Sequence, residues 1–143
     1  MKARLHHTRG AFTLTSELTD GHLAQATALV RATYWGASLA PATIRHSFEQ
    51  AFCVGVFDAD HLIGFSRVVT DYARFAYLSD VVIQPSYQGQ GLGSWMLDAL
   101  LQHAAFEGAK WVLFTEDAQA FYTTHGFSEI TIPQQFMSRP RWT

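Results

Sequence analysis

The pattern of apolar and polar positions divides the chain into segments of two different periods. Phe12, Leu14 and Ser16 alternate with Thr13, Thr15 and Glu17, which is the two-residue period of a strand. Thr19 or Asp20 can cap the helix that follows, whose stripe is Leu23, Ala26, Thr27, Val30 and Tyr34, with Gly36 as its stop. Pro41 suits the first turn of a short second helix reaching Phe48. Three strand-like runs come next: Ala51 to Phe57, then His61 to Thr70 after a turn at Asp58–Asp60, then Phe75 to Ile83. Turns this short predict an antiparallel meander. Gln84–Pro85 ends the third run, because proline lacks the amide that a ladder needs.

Leu92, Met96, Leu97, Leu100, Leu101 and Ala104 recur at helical spacing and form the clearest amphipathic helix, ended by Gly108. The apolar run Trp111 to Thr115 reads as a strand covered on both faces. A short helix from about Asp117 to His125 is stopped by Gly126, and Phe127 to Ile132 makes a last strand. The predicted order is β-α-α-β-β-β-α-β-α-β. Strand, helix and strand between Phe75 and Thr115 form a parallel crossover, so the expectation is a mixed α/β fold with helices on both faces of the sheet.

Composition adds boundaries. At 143 residues, with no repeat and no Gly/Ser/Pro-rich linker, one domain over residues 1–143 is expected. Ten Lys and Arg against twelve Asp and Glu give a formal charge of −2 and no basic stripe, which argues against a nucleic-acid partner. No stretch approaches the roughly 20 apolar residues of a membrane span. The N-terminal stretch lacks a signal-peptide core, so a cytoplasmic location is the expectation. Cys53 is the single cysteine and lies in an apolar run, as a buried strand thiol would. The seven histidines show no metal-ligand spacing, and no metal is expected.

The segment Gln88-Gly89-Gln90-Gly91-Leu92-Gly93 joins a strand to the amphipathic helix. Alternating glycines allow a tight turn, and the free amides and positive dipole end of a helix start favour phosphate or diphosphate. A structural turn and a dinucleotide loop are the competing readings. The latter wants G-x-G-x-x-G, but the matching position here is Ser94. Leu78 to Ala104 resembles motif A of the GCN5-related N-acetyltransferases, in the form Val81-Val82-Ile83-Gln84-Pro85-Ser86-Tyr87 followed by the glycine loop. Ala118 to Phe127, with Phe121-Tyr122 and Gly126-Phe127, resembles motif B of the same family.

That resemblance implies an acetyl-CoA-dependent N-acetyltransferase. The coenzyme's diphosphate would lie on the amides of Gln88, Gly89, Gln90, Gly91, Leu92, Gly93 and Ser94, and its pantetheine arm on Val82 and Ile83. Tyr122 matches the tyrosine that protonates the leaving sulfur; its other reading is a core aromatic beside Phe121. The amide of Val82 is the implied oxyanion donor. Asp80 is placed as a catalytic or water-holding carboxylate, or equally as the partner of a salt bridge to Arg67. Strand alternation puts Leu78, Asp80 and Val82 on one face, and Tyr77, Ser79, Val81 and Ile83 on the other. Thr115 or Glu116 stands where many family members have Asn.

For the acceptor, Tyr34, Trp35, Arg67, Asp71, Tyr72 and Tyr77 are the candidates, and the aromatics with Asp71 and Asp80 suit a small cationic amine. Tyr34 and Trp35 have helix-end packing as their alternative. The apolar tail, Pro133 to Thr143 with Phe136, Met137 and Trp142, would pack on the core or on a second subunit, which leaves a homodimer as one option.

Overall fold

The protein is described from a computed structural model covering residues 3–131 and 133–139. Its elements are β1 (His6–Arg9), β2 (Phe12–Thr15), α1 (Asp20–Arg31), α2 (Pro41–Glu49), β3 (Phe52–Asp58), β4 (His61–Thr70), β5 (Phe75–Ile83), α3 (Leu92–Leu101), β6 (Lys110–Val112) and α4 (Gln119–Thr123). The strands make one sheet in the order β1-β2-β3-β4-β5-β6. Neighbours run antiparallel except β5 and β6, which are parallel and joined through α3. The fold is therefore the mixed α/β arrangement expected, with a meander and one crossover.

Two apolar clusters lie on opposite faces of this sheet. On one, Val54, Val56, Ile63, Val68 and Leu78 pack beneath Leu92, Met96, Leu97 and Leu100 of α3. On the other, Cys53, Phe57, Leu62 and Phe65 pack beneath Ala26 and Val30 of α1 and Ile44 and Phe48 of α2. Each buried Leu, Ile, Val or Phe side chain contributes about 1.5–3 kcal/mol of burial free energy, so both helix layers are anchored by the sheet's alternation. Cys53 belongs to this packing. Its Sγ donates to the Phe48 carbonyl at 3.5 Å, and burial pushes the thiol up to about 12, out of reach of a thiolate at neutral pH.

The α1 start follows its sequence signal. Thr19 Oγ1 accepts from the His22 amide at 3.1 Å, and the Thr19 amide donates to His22 Nδ1 at 3.1 Å. This is a capping box in which an imidazole replaces the usual carboxylate. The helix ends at Arg31, five residues before Gly36. Gly36 folds back against the helix end instead: a Cβ there would stand 2.2 Å from the Val30 carbonyl oxygen.

Four expectations are corrected. The chain has a strand before Phe12, β1, paired to β2 around Gly10 at φ +59°. Its residues are all exposed, so no apolar alternation announced it. The long helix stops at Leu101, and Ala104–Phe106 forms a separate 3-10 turn capped by the His103 side chain. The strand at Trp111 shrinks to Lys110–Val112, half-buried at the sheet's edge, and Phe114 is 65% exposed. No strand forms over residues 127–131, where Gly126 turns the chain at φ +90° and only Phe127 is half-buried, packing edge-on against Tyr122. Ile132 and Trp142 lie outside the described residues.

Gly36→Ala should lower the unfolding free energy by about 1–3 kcal/mol, since the added methyl meets backbone rather than a yielding side chain. Denaturant titration checks this; an unchanged midpoint would contradict the close approach.

Candidate active site

The site begins with a mismatch between two strands. Between Arg67 and Phe65, β4 offers one residue, Ser66, while β5 offers two, Asp80 and Val81, between their partners Ser79 and Val82. The extra residue makes a bulge, and Asp80 takes up the strain at φ +53°, a conformation that Asp tolerates better than most residues. The bulge reverses the sense of alternation. Leu78 packs with the α3 cluster, whereas Val82 packs with the α1/α2 cluster, and Val81 and Ile83 turn toward α3. The expected grouping of Leu78, Asp80 and Val82 on one face is thus corrected.

Backbone direction changes too. The Gln84 amide donates to the Ile63 carbonyl at 2.7 Å, and the unbroken register to Phe65↔Val82 places the Val82 amide toward β4 as well. Val82 as amide donor to a ligand is therefore corrected: Val81, in the bulge, has no partner in the register with β4, and the Ile83 amide alternates away from β4.

They face a gap. β5 and β6 pair at three positions only, Phe75↔Lys110, Ala76↔Trp111 and Tyr77↔Val112. Beyond these the strands part, and a cleft of about 570 Å³ opens. Ser79, Asp80 and Val81 line one side, Phe114 to Ala118 and Tyr122 the other, with Tyr34, Trp35 and Tyr77 at the rim.

Asp80 is buried at the floor. Its Oδ2 accepts from Arg67 Nε at 2.8 Å, its Oδ1 accepts from Trp35 Nε1 at 2.9 Å, and Arg67 Nη2 donates to Ser79 Oγ at 3.1 Å. The salt-bridge reading is what the geometry shows, and both carboxylate oxygens are engaged. Trp35, although 37% exposed, is tethered from α1's side of the sheet to β5, and its ring meets Tyr34 edge-on at 5.0 Å.

Tyr122 sits on α4 with its ring edge-on to Phe121 and Phe127. Burial pushes its phenol up to about 12, with Tyr34 and Asp117 adding to the shift, so it holds its proton throughout the neutral range. The Phe121 ring covers Gly93, where a Cβ would touch it at 3.5 Å, so α4 is seated on the start of α3.

The glycine loop occupies that start. Gly89 and Gly91 have φ of +83° and +79°, conformations costly for other residues, and Gly91 is the N-cap. Gln88 Nε2 donates to the Ile83 carbonyl at 2.9 Å, pinning the loop to the end of β5, and Gln90 Nε2 donates to the Tyr87 carbonyl at 3.4 Å. Tyr87 is held in turn by donating to Asp58 at 2.7 Å. The unpaired amides of a 10-residue helix with an apolar flank suit a diphosphate.

Two neighbours of this loop escaped the sequence reading. Arg9, on the unforeseen β1, donates from Nη1 to the Gly91 carbonyl at 3.4 Å and sets a cation beside the loop. His125 bonds to Ser94, and only the spacing to Gly126 marked its position. Conversely, Asp71 and Tyr72 are not brought to the cleft. Asp71 accepts the amides of Arg74, Ala73 and Phe75 in the β4–β5 turn, which holds its carboxyl below the usual range. Tyr72 stacks on Phe106 at 5.9 Å. Among the described residues, no group of three His, Cys, Asp or Glu is placed to hold a metal ion, and no helix is long and apolar enough to cross a membrane.

A mixed sheet that parts between β5 and β6 beside a glycine-rich helix start is an α/β arrangement suited to an extended, phosphate-bearing ligand. The profile of the acetyltransferase (GNAT) family matches residues 18–127, and the chain belongs to that family. A GNAT-family protein of known structure from Xanthomonas campestris pv. campestris is similar at 31% identity and a TM-score of 0.82, over 91% of this chain and 93% of that one. An uncharacterized N-acetyltransferase, ycf52, of Gracilaria tenuistipitata var. liui is 37% identical over 68 residues. That alignment spans 46% of this chain and only 37% of the relative's length. Glucosamine-6-phosphate N-acetyltransferase of Arabidopsis thaliana, at 18% identity and a TM-score of 0.63 over 90% of this chain and 97% of that one, shares the fold.

Asp80→Asn should destabilise the protein by about 3 kcal/mol, because it strands the half-shielded Arg67 guanidinium without its counter-charge. Chemical denaturation reads the loss; a cost below about 1 kcal/mol would mean that the pair is solvated like a surface bridge.

Proposed function

We propose that this chain is an N-acetyltransferase that moves the acetyl group of acetyl-CoA to a primary amine on a small molecule. The observation that carries the reading is the cleft between Tyr122 and the freed edge of β5 at Ser79–Val81, with Phe121, beside Tyr122 on α4, seated on Gly93 of the glycine loop. The diphosphate lies on the amides of Gln88 to Ser94, and Arg9 adds a positive charge at the same place. The Ile83 amide pairs with the pantetheine arm, as a missing strand partner would. The Val81 amide, freed by the bulge, is the oxyanion donor.

The amine, after losing to solvent the proton that makes it a cation, attacks the thioester carbonyl carbon directly with its freed lone pair. The tetrahedral adduct then expels the sulfur, and the C–S bond breaks as the new C–N bond remains. Tyr122 gives its phenolic proton to the departing thiolate, the amine's surplus proton leaves through the open mouth of the cleft, where Glu116 and Asp117 stand exposed, and solvent there returns a proton to the tyrosinate. Asp80 acts by holding Trp35 and Arg67 in place, which orients the acceptor wall.

The acceptor's chemistry follows from that wall. Arg67 is neutralised by Asp80, so the unbalanced charges are Glu116 and Asp117, and the surrounding surfaces are Tyr34, Trp35, Tyr77 and Phe114. Aromatic faces beside carboxylates favour a small cationic amine. A screen of amines, amino acids and peptides for thiol release from acetyl-CoA tests this. Turnover with small cationic amines is expected; tight coenzyme binding with no release for any acceptor would instead favour a non-catalytic acyl-CoA sensor.

Tyr122→Phe should lower kcat by about 10²-fold or more while leaving the affinity for acetyl-CoA unchanged in calorimetry. Because burial raises the phenol to about 12, its proton stays available as pH rises, so wild-type kcat should show no alkaline fall from this group below pH 10 or so. An equal kcat in the variant would remove Tyr122 from the chemistry.

A further inference from the structure

Behind the glycine loop, three side chains form a line that the acetyl-transfer reading does not use. Ser94 Oγ lies 3.1 Å from His125 Nε2, and His125 Nδ1 lies 2.9 Å from Asp98 Oδ1. Ser94 is in the first turn of α3, Asp98 is one turn further on, and His125 follows α4. The imidazole side chain is only 6% exposed, whereas Asp98 is 56% exposed. The Phe121 ring covers the imidazole at 5.0 Å. α3 carries one charged side chain, Asp98, and α4 carries none, so Asp98 is the single charge that either helix presents to His125.

We propose that His125 is a positioning residue that couples coenzyme binding to proton uptake, turning the Ser94 hydroxyl toward the diphosphate only when the imidazole is charged. The proposal rests on the reading that the glycine loop holds the diphosphate of acetyl-CoA. When His125 is neutral, its Nδ1–H donates to Asp98, and the bare Nε2 accepts the Ser94 hydroxyl proton. Ser94 then shows lone pairs to the loop, the wrong polarity for an anion. When His125 gains a proton, both ring nitrogens donate. Ser94 now accepts from Nε2–H, and its own O–H is released to donate to a phosphate oxygen. The same proton places a positive charge behind the loop, and Asp98 balances it while the site is empty.

The sign follows from linkage. A diphosphate offers acceptors only, so it prefers the charged form of His125, and binding must draw a proton from solution. Affinity is therefore greatest at low pH and falls as pH rises. A staple that merely fastened α4 to α3 would give an affinity without this dependence.

The test uses the acetyl ester of 3′-dephospho-coenzyme A, which keeps the diphosphate but lacks the phosphomonoester that itself titrates near neutrality. Calorimetry in buffers of different ionisation heat, from about pH 6 to about pH 8.5, reads proton uptake and affinity together. Wild type should take up a proton on binding, approaching one per ligand at the steepest point, with affinity falling roughly tenfold across the range. His125→Gln keeps a donor and an acceptor but cannot titrate, and should show neither effect. Acetyl-pantetheine, without a diphosphate, should bind with no such dependence. If His125→Gln does not fold, Asp98→Asn at its exposed position decides, because losing the counter-charge should move the linkage to lower pH. Binding without proton uptake, or uptake that persists in His125→Gln, overturns the proposal while leaving the coenzyme reading intact. No binding of the dephospho ester at any pH overturns both.

Discussion

β5 has two residues, Asp80 and Val81, where β4 has one, and most of the site depends on that surplus. A strand in perfect register would direct every second amide to β4 and keep its side chains in strict alternation. The bulge breaks both patterns at one point. It carries Asp80 into a left-handed conformation where the carboxylate can be gripped by Arg67 from β4 and Trp35 from beyond α1. It also returns Val82 to the ladder and leaves the amide of Val81 outside it. The short pairing with β6 then determines that this free edge faces a cleft rather than another strand.

The two sides of the sheet divide the work. On the α3 side, the loop at Gly91 and the helix start, the proposed anion site, are held by Gln88 on the end of β5 and by Tyr87 on Asp58. On the α1 side, Tyr34 and Trp35 form a wall attached to β5 through a single buried carboxylate. α4 joins them, with Phe121 over Gly93 and Tyr122 in the cleft. The position of the proposed acid is thus coupled to the loop that would hold the coenzyme.

Much of this was legible in the chain. The meander, the crossover helix, the capping residue Thr19 and the glycine loop each have a local cause in periodicity or turn chemistry, and all fall near their expected places. What escaped reading has a common origin in tertiary contacts. β1 is exposed throughout, so its pairing leaves no apolar trace, and Arg9 was hidden with it. Simple alternation could not foresee that Asp80 would absorb an extra residue, and the faces beyond it were misassigned. Asp71 looked like an acceptor ligand because an acidic residue beside an aromatic carries no mark of the three backbone amides it satisfies. The last strand failed because Phe127 alone, among the described residues from 127 to 131, finds a partly buried place.

The backbone of β5 beside the gap is the proposed seat of the acyl donor, and hydrogen exchange read amide by amide examines it directly. In the free protein Val82 should exchange slowly, as a ladder amide facing β4, while Val81 and Ile83 exchange fast. Saturating acetyl-CoA should slow Val81 and Ile83 and leave Val82 as it was. Protection confined to Val82, or no change at Val81 and Ile83 with the ligand bound, would contradict the assignment of this strand edge as the seat of the acyl donor.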